Sequence, residues 1–492
     1  MDTVLVFGDQ LNRRIGALAE RGPADCRVLL VESEALLRPE RHVQRLHLVI
    51  AAMRRFAAEL EAAGYEVDLR RAATIGAGIA SHVAEHAPDA LVATEPNSRA
   101  GRRLCERHGV EQVRSNQFLR HHDDFAGWAG GRQSLKMEDF YRWTRADLGY
   151  LMDGDHPVGG RWNLDAENRE PPPKDPSIFS DPPASSLDAL DDEVLADLPD
   201  AKGTAPVGWW ATSRQGALAR LRHFVDHELV RFGAYEDAMT QHSWSLAHSM
   251  LSPYLNLGLL LPGEVCDRVE QAYRSGAVPL NSAEGFIRQV IGWREYVWGL
   301  YWLWPDHAES NALGHEAPLP PMYTGEASTD MACMADTFTG LDERAWAHHI
   351  PRLMLLSNVA NLFGVHPRHV LDWMSDTYID AAEWVMVPNV MGMALWADGG
   401  RMATKPYVSG GAYVNRMSDY CGGCRYDPRK RTGVDACPIT TLYWDFLARH
   451  RKALAGNNRM ARPLANLDRL SDLPEVRARA AEVIVAAQEG RL

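Results

Sequence analysis

Four short apolar runs alternating with helix-patterned stretches in the first 115 residues constrain this chain more than any other feature. Residues 4–7, 28–31, 67–69 and 91–94 read as buried strands. Between them, residues 42–63, 75–85 and 98–108 carry apolar side chains at helical spacing. Strands joined through helices run parallel, because a parallel pair needs a crossover connection. The pattern predicts a Rossmann-like α/β domain over residues 1–130, with helices on both faces of a parallel sheet. Ligands of such sheets bind beyond the carboxyl ends of the strands, which is where Gly8, Asp9, Gln10 and Glu32 fall. No GxGxxG follows the first strand, so pattern alone reads Gly8, Asp9 and Gln10 as a plain strand-to-helix turn.

After residue 206 the texture changes. Helical spacing dominates at 213–230, 284–304, 342–358, 367–376, 441–454 and 473–489, and strand signals are scarce. A large all-helical domain over 206–492 follows, joined to the first by a linker over 131–205. Residues 171–200 are Pro-rich and acidic, with seven acids and no base between Asp181 and Asp200, which suits a linker or surface-wrapping loop. No run of 18 apolar residues suggests a membrane span. The opening MDTVLVFGDQ lacks the basic start of a signal peptide. Seven cysteines, an odd number in 492 residues, do not suit a disulfide scaffold and point to reducing cytosol. Cys26, Cys105 and Cys266 sit in apolar company and read as buried thiols.

The net charge of -13 argues at first against nucleic acid. Its distribution reverses the argument. Residues 401–462 hold twelve Lys or Arg against four Asp or Glu, a net of +8. Arg429, Lys430 and Arg431 cluster there beside a cysteine motif, which suggests a nucleic-acid face.

That motif, Cys421-Gly-Gly-Cys424 with Cys437-Pro438 twelve residues on, is the strongest chemical signal. A CxxC turn brings two thiolates to one centre, and iron–sulfur and zinc ligation both use it. Cys333 is the spare cysteine in polar company, whereas His450 reads as exposed. Ser249 and Ser252 suit either helix capping or a pyrophosphate at a helix N-terminus. Arg288, Arg294 and Glu295 lie in an apolar helical stretch and need partners or a ligand there. His348 and His349 suit metal binding, acid–base chemistry or packing. The many Trp and Tyr residues of this half suit a packed core.

Together these residues resemble the photolyase/cryptochrome flavoproteins, and within them the bacterial iron–sulfur branch that includes prokaryotic (6-4) photolyases. FGDQL, GGRWNLDAENR, SMLSPYLNLGLL, GFIRQVIGWREY, AHHIPRLM, TKPYVSGGAYVNRMSDYCGGCRYDP and ACPITTLYWDFLARHR carry the resemblance over the whole length. It implies FAD held by Ser249, Leu251, Ser252, Phe286, Gln289 and Arg294. It implies a 4Fe–4S cluster on Cys333, Cys421, Cys424 and Cys437, in place of zinc. His349 corresponds to the histidine that meets the lesion, with His348 beside it and Tyr407 on the lesion side. Trp373 corresponds to an aromatic of flavin photoreduction. Gly8, Asp9, Gln10 and Glu32 would hold the antenna, 6,7-dimethyl-8-ribityllumazine. Mg2+ near the flavin is a further expectation, with Asp237 as its candidate ligand. Three positions depart from relatives or are open to variation: Leu353 stands where eukaryotic (6-4) enzymes have a second histidine, Met386 where Glu is expected, and Met374 where Tyr occurs. The resemblance thus implies a monomeric, cytoplasmic enzyme, nucleoid-associated when bound to UV-damaged DNA. It would split the (6-4) lesion by electron transfer from photoexcited reduced FAD, with His349 as proton donor. A cryptochrome photoreceptor is the alternative, and an iron–sulfur nucleic-acid binder without flavin is a third reading.

Overall fold

The computed structural model describes all 492 residues. The parallel sheet has five strands: β1 (Asp2–Leu5), β2 (Cys26–Ser33), β3 (Glu66–Ala72), β4 (Leu91–Thr94) and β5 (Glu111–Val113). Their order is β3-β2-β1-β4-β5, and every pairing is parallel. The order reverses between β1 and β4, so the switch point that opens a ligand crevice lies where residues 7–10 leave β1. Covered on both faces, Val4, Leu5, Val28, Leu30 and Val92 are almost fully buried.

Two strands differ from the sequence pattern. β3 is an edge strand, longer than residues 67–69 and only half-buried. Its charges guard that edge: Arg70 and His82 pair with Asp68, and Arg27 pairs with Glu66. β5 is three residues, Glu-Gln-Val, too short and polar to register as an apolar run.

The acidic segment wraps the surface and carries a helix, Ala189–Asp197, capped by Asp188. Its carboxylates strap it to the long helix Val43–Ala62. Arg55 lies 2.8 Å from Asp188 and 2.9 Å from Asp191, and Arg54 lies 2.7 Å from Asp197. This part of the negative charge therefore serves the scaffold.

No β-strand occurs beyond residue 157. Helices Pro367–Thr377, Pro438–Arg449 and Leu473–Gln488 fall close to where periodicity puts them. The helix expected over 342–358 is broken. Ala332–Arg344 ends at Ala345, whose φ of 55° is left-handed, and helical turns resume at His349, leading into the widened segment Pro351–Ser357. Apolar spacing continues across the break, so periodicity cannot register it. The break leaves His348 in the connecting loop and His349 at the first helical position after it.

Four widened, π-helical segments occur, Phe224–Glu228, Arg288–Arg294, Pro351–Ser357 and Pro388–Ala394. Such segments concentrate at functional sites, and the last three line the cavity described next. Gly299 lets the helix His122–Ala129 press against this half, since a Cβ there would sit 2.1 Å from Phe125. No helix is long and apolar enough to cross a membrane.

Candidate active site

A cavity of about 370 Å³ opens in the helical half, and 19 of its 31 lining residues are hydrophobic. An apolar wall with a few placed polar groups is the make-up of a cofactor site. Ser249, Leu251, Ser252, Phe286, Gln289 and Arg294 all line it, as do His348, His349 and Met386. Segments far apart in sequence are thus brought to one wall.

The polar groups of that wall are held in place. Arg294 Nη1 donates to Glu295 Oε1 at 2.9 Å, and the guanidinium lies 4.0 Å over the Phe118 ring. Arg294 Nε and Nη2, Ser357 Oγ and Tyr378 Oη are buried with no partner in the protein. A lone buried polar group costs about 1–3 kcal/mol, so this donor-rich set fits a ligand rich in acceptors, as a flavin with its pyrophosphate is. Ser249 Oγ accepts the Leu251 N–H at 3.3 Å, across Met250 with φ 55°. Ser252 Oγ donates to Asp380 at 2.6 Å. The helix that follows, Ser252–Asn256, has five residues. The serines lie at a helix start, as the sequence suggested, but the helix is short and neither hydroxyl caps it.

Asp380 is gripped from the other side by Arg352 at 2.9 and 3.0 Å. Neither residue stood out in the sequence. Their only signal was a charge placed in each of two largely apolar stretches, IPRLMLL and TYIDAA. Arg288 is the buried cation that needed a partner, and it has three: Asp165 at 3.3 Å, Glu284 at 3.4 Å and Glu236 at 3.5 Å. Burial nevertheless pushes the Glu236 carboxyl up to about 7.

At the rim stand three histidines. His348 is buried, stacks on His248 at 4.1 Å, and is held well below its ordinary value by burial and by that neighbour. Burial also pushes His248 down to about 3. His349 is exposed, and its Nε2 lies 3.5 Å from Asp237 Oδ1. Burial alone would raise Asp237, but the hydrogen bond and charge of His349 outweigh it and hold the carboxyl low. Asp237, the residue expected to hold Mg2+, is thus taken up by the histidine. Tyr407 lies outside the cavity wall, within electrostatic range of Asp237, as does Tyr413.

Trp373 also lies outside the wall. Its indole N–H donates to the Tyr323 carbonyl at 2.7 Å, and its ring meets Tyr378, a wall residue, at 6.4 Å. One aromatic ring therefore stands between it and the cavity.

Cys333, Cys421, Cys424 and Cys437 meet around a second cavity of about 20 Å³, with Met331, Val414, Tyr420, Tyr426 and Ile439. All four are free thiols. Four cysteine sulfurs converging on one small cavity suit a metal centre, and iron–sulfur and zinc ligation both use such a set. Gly411 permits the approach, since a Cβ there would lie 3.0 Å from Cys437 Sγ. His450 is not exposed as its sequence suggested. Its Nε2 lies 3.0 Å from His315 Nε2.

The basic cluster beside the cysteines is neutralised locally. Arg429 pairs with Asp427, Lys430 with Asp435, and Arg431 with Asp472. Lys405, Arg416 and Arg459 are basic groups of the same region without a carboxylate partner. Arg459 lies within electrostatic range of Lys405 and Tyr407.

At the sheet's switch point, Asn97 Nδ2 donates to Asp9 at 3.1 Å and Gln10 Nε2 to the Glu95 carbonyl at 2.9 Å. Burial raises Asp9 to about 6. Glu32 is held by Arg54 at 2.8 and 3.0 Å. Gln10 Oε1 and Asn97 Oδ1 remain buried without partners.

A family model described as deoxyribodipyrimidine photo-lyase-related protein matches residues 4–206. A (6-4) photolyase of Agrobacterium fabrum is 43% identical over 500 residues, covering 97% of this chain and 98% of the relative. An uncharacterized protein of Acanthamoeba polyphaga mimivirus is 31% identical over 107 residues, 22% of this chain and 80% of its own length. The fold is shared with a bacterial class III photolyase from Agrobacterium tumefaciens. That likeness has a TM-score of 0.61 at 17% identity and covers 99% of this chain and 98% of the other.

Proposed function

The chain belongs to the (6-4) photolyase family, and from that premise we propose that it repairs (6-4) pyrimidine–pyrimidone photoproducts in DNA in a light-driven reaction. The observation that supports this most is the exposed His349–Asp237 pair on the rim of a cofactor-sized cavity. A flavin chromophore comes with the family, and FAD held there would supply, when reduced and illuminated, one electron to the lesion.

The remaining work falls to side chains. The wall residues Ser249, Leu251, Ser252, Phe286, Gln289 and Arg294 hold the cofactor and exclude water from it. The Arg352–Asp380 pair fixes the Ser252 hydroxyl. DNA docks over the rim, where Lys405, Arg416 and Arg459 meet phosphates. The damaged base flips toward the cavity, which is cheapest at a poorly stacked lesion. Asp237 engages His349 Nε2, so Nδ1 is the atom that hands a proton to the lesion as general acid. Burial holds His348 and His248 below the ordinary histidine value, which disfavours their charged forms. Tyr407 packs on the lesion side. Trp373, through Tyr378, resupplies electrons to an oxidised cofactor.

Cys333, Cys421, Cys424 and Cys437 hold a 4Fe–4S cluster that orders the C-terminal helices. The orphaned acceptors of Gln10 and Asn97 suit a ligand with hydroxyl donors, such as the ribityl chain of the lumazine antenna. Mg2+ at Asp237 would compete with His349.

Illuminating the reduced holoprotein with a (6-4)-containing oligonucleotide tests the reading. Restored pyrimidines in the light and none in the dark are expected. An intact lesion after saturating light would move the reading to a photoreceptor.

A further inference from the structure

The turn that carries the first two cluster cysteines is bonded to the loop that carries Asp237. Three hydrogen bonds join them. Met239 N–H donates to the Met417 carbonyl at 2.9 Å. Gln241 N–H donates to Asp419 Oδ1 at 3.1 Å. The Thr240 hydroxyl donates to Asp419 Oδ2. Two of the three end on Asp419, two residues before Cys421. His242 adds to the same grip, since its N–H donates to Thr240 Oγ1 at 3.2 Å and its Nε2 lies 3.8 Å from Asp419.

The turn cannot slide freely. Tyr420, next to Asp419, is buried and donates its hydroxyl to Asp336 at 2.7 Å. Asp336 lies one turn beyond Cys333 on the helix Ala332–Arg344. The other end is equally fixed, because Ala238 and Met239 are fully buried. Asp237, directly before them, then meets His349 at 3.5 Å. A continuous series of contacts thus runs from the cysteine turn, through Asp419 and the buried Ala238 and Met239, to the histidine on the rim.

We propose that Asp419 is a positioning residue for the His349–Asp237 pair, through which the cysteine-bearing turn sets the geometry of the repair histidine. The role rests on the repair reading only for its consequence in turnover. The coupling to His349 is a property of the protein itself. It gives the cysteine region a part in repair without any electron passing through it.

The test uses full-length holoprotein carrying Asp419→Ala, Asp419→Asn or Asp237→Asn. Flavin and iron content confirm that each variant is folded and loaded. In Asp419→Ala, kcat for lesion repair is expected to fall about 100-fold, the loss typical of a small misplacement. KM should stay within about twofold, because binding surfaces are untouched. Asp419→Asn keeps an acceptor for the Gln241 N–H and should return kcat close to wild type. Independently of activity, nitrogen NMR of labelled histidines reads the Nε2 signal of His349 at fixed pH. Asp419→Ala should move that signal toward its position in Asp237→Asn. A signal unmoved by Asp419→Ala but moved by Asp237→Asn would overturn the proposal, even with reduced stability. If the wild type repairs no (6-4) lesion, the repair reading fails, and the NMR comparison still decides the coupling. Should Asp419→Ala fail to fold, Thr240→Val takes its place. It removes one of the two bonds to Asp419 and should move the His349 signal part of the way, and an unmoved signal again overturns the proposal.

Discussion

The helical half holds two cavities built in opposite ways. The cysteine cavity is about 20 Å³ and is defined by four identical donor atoms, two of them in one tight turn. The rim-and-wall cavity is about 370 Å³ and draws on segments around residues 250, 290, 350 and 385. In the first, function is concentrated in a few atoms that are useless singly. In the second it is spread over a shaped wall whose members each contribute a part. Damage should therefore be all-or-none at the cysteines and graded around the larger cavity.

Cys437→Ser sets the upper limit of that contrast. Binding energy at a structural centre is folding energy, so this variant is expected to lose its iron and its cooperative unfolding together. Metal analysis with a circular-dichroism melt checks it, and a full iron complement in the variant would break the contrast. Arg352→Ala comes next. It strands Asp380, which is only 7% exposed at its side chain, and removing one partner of such a pair costs about 3–5 kcal/mol. Urea unfolding should show that loss alongside weakened flavin retention, with iron content unchanged. Loss of iron as well would merge the two centres into one cooperative unit.

A milder effect comes from pH. His248 is pushed down from 6.5 to about 3 by burial, and His348 is also held low. As pH falls below about 6.5 the unfolded chain takes up protons that the folded rim refuses, so stability drops until about pH 3. The thermal midpoint should be lower at pH 5 than at pH 7.5, with flavin released before iron. Equal midpoints would show that the rim histidines are not the acid-sensitive element. The smallest effect on repair belongs to Trp373→Phe. It should slow photoreduction of the oxidised cofactor while leaving repair by chemically reduced protein near wild type. Unchanged photoreduction would remove Trp373 from the electron route.

The same contrast explains what could be read from the sequence. Cysteines advertise themselves through spacing, and the buried strands β1, β2 and β4 through apolar runs. Arg352 and Asp380 are single charges in apolar surroundings, 28 positions apart, and only the fold makes them a pair. The break at residues 345–348 escaped because apolar spacing carries on through it, although Pro351 was its one local clue. β3 looked buried because its apolar centre is short, while its edge position is a property of the sheet as a whole. The clustered bases 429–431 looked free because their acidic partners include Asp472, distant in sequence. Leu251, Phe286 and Gln289 were found through the resemblance alone, whereas Ser249, Ser252 and Arg294 also drew notice as hydroxyls at a helix start and a charge in an apolar stretch.

The central claim is that an exposed histidine, aimed by Asp237, serves a lesion held over a separately built cofactor wall. Single-turnover repair of a (6-4) oligonucleotide by His349→Ala, under saturating light, tests it most directly. Repair should fall by about 10²- to 10⁴-fold, the weight of a general acid, with flavin content and DNA affinity unchanged. Repair at the wild-type rate in a variant that retains its flavin would contradict the assignment.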